Sequence, residues 1–308
     1  MLLNYYQSVK PLIAAHRGLS SLYPENTLEG FKSALQFSDF IELDVVINKE
    51  GIPMVCHDAF LSLVSDVKNH NKFENRKKSK IINEKEKQDW WISDFTFEEL
   101  KELNLSQCIN NRKSEFDGQL QIPSLKEIID FFLGYNSNND NKKGILLEIK
   151  DYQYHQQYCN INIAEVIHNF LKEQGLSTQH ECSQKLPIVI MAFDKQILQY
   201  FSQRSDLPLA QLVLFEDKNI PTITEIVQYA KIVGLDLRLI WQNNQTHEYY
   251  NEAKKNGLII YGWTFQDDND DIKKLFDEQD ISKIYQKCGR LLSGIITEFP
   301  QEAIKFIL

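Results

Sequence analysis

Apolar runs of strand length recur along this chain, and most are followed by an amphipathic stretch long enough for a helix. "LIAAHR" (12–17) precedes "PENTLEGFKSALQF" (24–37), whose spacing of Leu28, Phe31, Ala34 and Leu35 gives one buried helical face, with Asn26 or Thr27 as its start. "FIELDVVI" (40–47), the turn "KEG" (49–51) and "IPMVCHD" (52–58) read as a strand and its returning hairpin partner. Further runs follow at 145–150, 188–193, 209–215, 231–239, 258–265 and 294–299. With the returning strand set aside, eight strands remain, each followed by a helix or by room for one. That alternation predicts an α/β protein with a closed (β/α)8 TIM barrel, spanning residues 12–308, in preference to a doubly wound sheet.

The alternation breaks between residues 59 and 123, which predicts a small insertion after the second barrel strand. It holds a polar, basic run (69–80) and then "DWWISDFTFEELKELNL" (89–105), where Thr96 and Glu99 form a capping-box pattern. "YNSNNDNKKG" (135–144) is expected to be a solvated loop. The balance of 43 acidic against 34 basic residues disfavours unspecific binding to nucleic acid or an anionic membrane, yet leaves room for a local phosphate pocket. No segment approaches transmembrane length. Five cysteines without a CxxC pair, and an opening without signal-peptide character, favour a cytoplasmic location, or a periplasmic one where a leader has been removed.

In such a barrel, reactive side chains stand at the C-terminal ends of the strands. "IELDVV" sets Glu42 and Asp44 two apart, so both carboxylates share a face. Facing the interior they need a cation or hydrogen-bond donors between them; facing the helical layer they would meet lysines. If Asn48 to Gly51 form the turn, residues whose numbers sum to about 99–101 face one another, which brings His57 opposite Glu42 and Asp44. On its own, His57 also reads as a structural histidine or a helix cap, and Asp58 is expected to face away and brace the insertion. "ILLEIK" puts Glu148 and Lys150 on one face, either a third oxygen ligand beside a neutralising cation or a plain ion pair. Three carboxylates suit Mg²⁺ or Ca²⁺ better than Zn²⁺. Phe193, Tyr261 and Trp263 form either the cap of the core or an apolar wall for a ligand, and Asp236 and Arg238 an inward ion pair or a supporting one. The sequence lacks GxGxxG after its first strand, GxxxxGK[ST], HExxH and GxSxG, so nucleotide, zincin and α/β-hydrolase readings lose their mechanical signatures.

Taken together and in order, "IAAHRG", "PENTLEGF", "IELDVVINKEGIPMVCHD", "LLEIK", "YGWTF" and "GIITEFPQEAIKFI" resemble the glycerophosphodiester phosphodiesterase family, most closely its longer bacterial members that release glycerol 3-phosphate. The resemblance runs from Leu12 to the C-terminus and implies a barrel of the phospholipase C-like type. It implies His16 and His57 as the catalytic pair, Glu42, Asp44 and Glu148 as ligands of one divalent cation, Arg17 as the phosphate receptor and Lys150 as its basic partner. The activity implied is hydrolysis of a small glycerophosphodiester to sn-glycerol 3-phosphate and an alcohol. Two alternatives use the same barrel: a phosphodiesterase acting on lysophospholipids or other lipid-linked diesters, and a noncatalytic phosphoglycerol-binding protein.

Overall fold

The computed structural model describes residues 10–109, 112 and 115–307. Among the described residues, eight parallel strands close into a barrel: Leu12–His16, Phe40–Ile47, Gly144–Ile149, Ile188–Ala192, Leu209–Val213, Ile232–Asp236, Ile259–Phe265 and Gly294–Thr297. The first strand pairs with both the second and the eighth, which shuts the ring. All eight coincide with apolar runs read from the sequence, because strands covered by helices outside and side chains inside must be apolar on both faces. The short strand Pro53–Val55 returns antiparallel to the second, with Val45 opposite Val55 and Ile47 opposite Pro53, the expected register.

Two layers divide the strand residues by parity. Leu12, Ala14, Phe40, Leu146, Val189, Met191, Leu212, Tyr261 and Ile296 fill the barrel interior. Ile13, Ala15, Ile41, Leu43, Val45 and Leu147 pack outward against the helices. The interior fits large rings over missing side chains: a Cβ on Gly144 would stand 2.1 Å from the Phe40 ring, and one on Gly294 would stand 2.4 Å from that of Tyr261. Helix starts follow side-chain chemistry, with capping boxes at Thr96/Glu99, Ser124/Glu127, Thr178/Glu181 and Thr222/Glu225.

The segment after the second strand builds its own small core from Leu61, Val64, Phe73, Trp90, Phe95, Leu100 and Ile122, continuous with Val46 and Met54 of the hairpin. Its basic run is more ordered than its composition suggests. Two 3₁₀ turns lead into a hairpin of Lys78–Ile82 and Lys85–Asp89, tied to the barrel where Lys80 Nζ donates to Tyr154 Oη at 3.1 Å. The expected loop at 135–144 begins later than its composition implies, since the helix Leu125–Ser137 continues through Tyr135 and Asn136. Asn136 holds that end by donating to the carbonyls of Lys143 and Lys185. No helix among the described residues is long and apolar enough to cross a membrane.

Candidate active site

Parallel register brings the polar residues together. His16 lies beside Glu42, and Asp44 lies beside Glu148, so three neighbouring strands bring inward-facing polar residues to one spot toward the C-terminal mouth. Glu42 and Asp44 share the inward parity of Phe40, and this settles their orientation toward the interior. One oxygen from each of Glu42, Asp44 and Glu148 can be chosen so that all lie within 4.8 Å of one another, and all three residues are buried.

Burial, reinforced by Asp44 and Glu148, holds the Glu42 carboxyl well above the usual carboxylate range. Asp44 moves the other way. Burial opposes its ionisation, but His57, Arg17, Lys150 and a hydrogen bond from Asn26 together hold it well below its ordinary value. Glu42 Oε1 and Asp44 Oδ1 are buried without a hydrogen-bond donor. Buried carboxylate oxygens left in that state are costly, and a hard divalent cation would satisfy them. The donor set therefore fits such an ion.

The chain turns sharply as it leaves the first strand. Arg17 adopts a left-handed backbone (φ 57°), so its N–H donates to Glu42 Oε2 at 3.0 Å while its guanidinium swings to Glu25 Oε2 at 2.8 Å and within 3.3 Å of Asp44 Oδ2. Gly18 follows at φ 86°, where a Cβ would stand 2.8 Å from the Phe31 ring. Lys150 Nζ donates to Glu148 Oε1 at 2.6 Å and lies 3.6 Å from Asp44 Oδ1. Burial opposes its charge, yet Glu148 and Asp44 keep the ammonium firmly protonated.

His16 and His57 flank this cluster. His16 Nδ1 faces Glu298 Oε1 at 3.1 Å, which turns Nε2 to within 3.9 Å of Glu42 Oε2. Burial, then the charge of Arg17, lowers its pKa below the usual imidazole value. His57 follows the returning strand, which is anchored where Cys56 N–H donates to the Asp44 carbonyl at 3.0 Å. Its Nδ1 is 3.1 Å from Asp58 Oδ1, so Asp58 faces the histidine and not away from it as expected. The polypeptide turns after Val55, and strand alternation no longer separates neighbouring side chains there.

The aromatic residues divide. Phe193 is partly exposed and meets Trp263 edge to face at 5.5 Å, so both stand at the mouth. Tyr261 lies one layer lower, 1% exposed among interior side chains and over Gly294, where no ligand at the mouth would touch it. Two residues earlier on an inward-facing strand means one layer deeper in the barrel. Arg238 bridges Asp236 and Glu216 at the end of the sixth strand, with Asp236 buried and Glu216 exposed, a supporting pair.

The family model of the glycerophosphoryl diester phosphodiesterase family matches residues 16–302. The chain belongs to that family. Glycerophosphodiester phosphodiesterase GDPD6 of Arabidopsis thaliana is 29% identical over 235 residues, which cover 74% of this chain and 62% of the plant protein. Glycerophosphodiester phosphodiesterase of Haemophilus influenzae is 23% identical over 347 residues, covering 96% of this chain and 89% of that protein. Among solved structures, an Oleispira antarctica phosphodiesterase in complex with the product sn-glycerol-3-phosphate superposes with a TM-score of 0.63, at 21% identity over 97% of this chain and 99% of the other.

Within this glycerophosphodiester phosphodiesterase barrel, three site residues escape a reading by residue type. Glu25 holds Arg17, Asn26 clasps Asp44 by donating from Nδ2 to Asp44 Oδ2 at 2.9 Å and accepting at its Oδ1 from Asp44 N–H at 3.3 Å, and Glu298 holds His16. Asn26 resembles a helix cap in sequence, but Thr27 is the cap and Asn26 sits just outside. Glu298 could have been found from parity, being two residues beyond the inward-facing Ile296.

Proposed function

We propose that this family member hydrolyses small glycerophosphodiesters to sn-glycerol 3-phosphate and an alcohol, using one Mg²⁺ or Ca²⁺ held by Glu42, Asp44 and Glu148. The observation that carries the reading is the pair of histidines beside a buried three-carboxylate cluster. Binding alone needs charge but not a paired acid and base. A bound cation would supply positive charge to a phosphate oxygen and to the glycerol hydroxyl. Arg17 and Lys150, each held by a carboxylate, add fixed positive charge where the phosphorane gains negative charge.

His16 and His57 each have Nδ1 beside a carboxylate, which leaves Nε2 to exchange protons with the substrate. In the first step one histidine takes the proton of the glycerol 2-hydroxyl as that oxygen attacks phosphorus, and the other protonates the departing alkoxide. The cyclic phosphate so formed is opened by water with the two roles exchanged. Phe193 and Trp263 give the mouth an apolar edge, which is the feature that favours the second reading, a lipid-linked diester.

The test is chromatographic. Purified protein is incubated with glycerophosphocholine, glycerophosphoethanolamine or lysophosphatidylcholine, with Mg²⁺, Ca²⁺ or chelator. Glycerol 3-phosphate from the first two, abolished by chelator, is expected. Choline released from lysophosphatidylcholine alone would favour the lipid reading, and no turnover with either ion would refute both.

A further inference from the structure

The insertion and the first catalytic histidine meet at one carboxylate. Glu298, just past the eighth strand and 3% exposed, has both oxygens engaged. Its Oε1 accepts from Gln266 Nε2 at 3.0 Å and lies 3.1 Å from His16 Nδ1; its Oε2 accepts from Arg112 Nη2 at 2.5 Å. Arg112 belongs to the insertion, 186 positions away in sequence. Its side chain is 4% exposed and forks onto Asp268, with Nε to Oδ2 at 2.7 Å and Nη2 to Oδ1 at 2.9 Å. Nη1 donates to the Ser20 carbonyl at 3.3 Å, and the guanidinium lies 5.2 Å from the centre of the Phe299 ring. One side chain thus joins the segments that follow the first, seventh and eighth strands, at the seam where the barrel closes.

The same short stretch reaches the neighbouring site residue. Gln107 Nε2 donates to the carbonyls of Ser20 (3.0 Å) and Tyr23 (3.4 Å), and the Cys108 thiol donates to Glu25 Oε2 at 3.4 Å. Glu25 is the carboxylate that holds Arg17. Cys108 and Arg112 therefore touch the two carboxylates that stand behind Arg17 and His16.

We infer that Glu298 and Arg112 are positioning residues for His16, Glu298 fixing its ring with Nδ1 protonated and Arg112 making the insertion the support of Glu298. A neutral imidazole has one donor and one acceptor, and a carboxylate at Nδ1 selects the tautomer that leaves Nε2 basic. A buried carboxylate facing only a neutral ring would be poorly compensated. Arg112 supplies the missing cation. Burial raises the Glu298 pKa, but His16 and Arg112 outweigh it and hold the acid down to about 2, so the carboxylate keeps its charge. The insertion is then part of the catalytic machinery through a residue that touches no substrate.

The kinetic arm of the test rests on the proposed activity; the spectroscopic arm does not. The full chain is compared with Glu298→Ala, Glu298→Gln, Arg112→Ala, Arg112→Lys and the double alanine variant. Long-range ¹H–¹⁵N spectra read the His16 tautomer, assigned from the pattern lost in His16→Gln. Glu298→Ala is expected to lower kcat for glycerophosphocholine about 10²-fold with KM within about threefold, and to lose the Nδ1-protonated pattern. Arg112→Ala is expected to lower kcat about tenfold and to recover partly with added guanidinium, which a merely destabilised fold would not do. The double variant should be no slower than Glu298→Ala by more than about twofold, because the two act in series. If the alanine variants fail to fold, Glu298→Gln and Arg112→Lys carry the same readouts. Folded variants with an unchanged tautomer and kcat within about threefold of the parent would overturn the inference. A tautomer that follows Glu298 in a protein inactive on every diester would uphold it and refute the activity instead.

Discussion

Replacing Glu42→Gln separates two consequences of gathering three carboxylates in one buried cluster. Burial and the neighbouring Asp44 and Glu148 raise the Glu42 pKa well above its ordinary 4.5. An acid with a raised pKa in the folded state binds its proton more tightly there than in the unfolded chain. The associated stability is full below the ordinary carboxylate value and is lost as pH rises toward the folded value, at about 1.4 kcal/mol per pH unit. Near neutral pH without a cation, Glu42 is therefore a burden on the fold. Glutamine cannot ionise, and its carbonyl can still accept from Arg17 N–H, which lies 3.0 Å from Glu42 Oε2. With chelator at pH 7, the variant is expected to gain about 1–3 kcal/mol over the parent. A chain of 308 residues unfolds with an entropy near 0.65 kcal/mol/K, so this corresponds to about 2–5 °C in Tm. Cation at 100 times its Kd should raise the parent by about 2.7 kcal/mol, or about 4 °C, and the variant by far less. Activity of the variant should fall by about 10² or more. Differential scanning fluorimetry with chelator, Mg²⁺ and Ca²⁺ reads every arm. A parent indifferent to both cations, or a variant that melts lower than the parent in chelator, would refute the reasoning.

Glu298 has the opposite sign: its folded pKa of about 2 lies below the ordinary 4.5, so its contribution of about 3 kcal/mol is present above pH 4.5 and lost as pH falls toward 2. Urea denaturation should show the parent's advantage over Glu298→Gln shrinking between pH 5 and pH 3. Gly144→Ala puts a methyl 2.1 Å from the Phe40 ring and should cost about 1–3 kcal/mol in thermal unfolding, with Phe40→Leu restoring most of it. His57→Asn should lower kcat about 10²- to 10⁴-fold while Tm moves by about 2 °C or less, since the side chain is 28% exposed and its hydrogen bond is to the adjacent Asp58; a folded variant with undiminished turnover would remove His57 from the chemistry.

The barrel is legible in the sequence because each strand is apolar on both faces, and the burial of Phe40–Ile47 and Gly144–Ile149 along their whole length shows why. The hairpin in the segment after the second strand is much less legible. Lys78–Ile82 and Lys85–Asp89 show no apolar periodicity, and their support comes from Tyr154 and Tyr158 on a helix more than seventy positions away, through hydrogen bonds to Lys80 Nζ and Ile81 N–H. The limit there is physical: a strand pair held by a buried ammonium and two tyrosines leaves no local hydrophobic signature.

The site divides along the same line. His16, Arg17, Glu42, Asp44, His57, Glu148 and Lys150 are charged or titratable residues at strand ends in apolar company, which makes them conspicuous, but it is the family resemblance of the joined motifs, not their spacing alone, that implies their roles. Whether Glu42 and Asp44 face inward cannot be read from strands flanked by apolar residues on both sides; closure of the ring decides it by placing His16 and Glu148 at their flanks. The residues behind them are of another kind. Glu298 meets His16 across 282 positions and Arg112 across 186, and those distances in sequence collapse only when the eighth strand pairs with the first. A reactive residue must differ from its surroundings, which makes it visible in sequence. A residue that holds it needs only to be opposite it, and opposition is a property of the closed barrel.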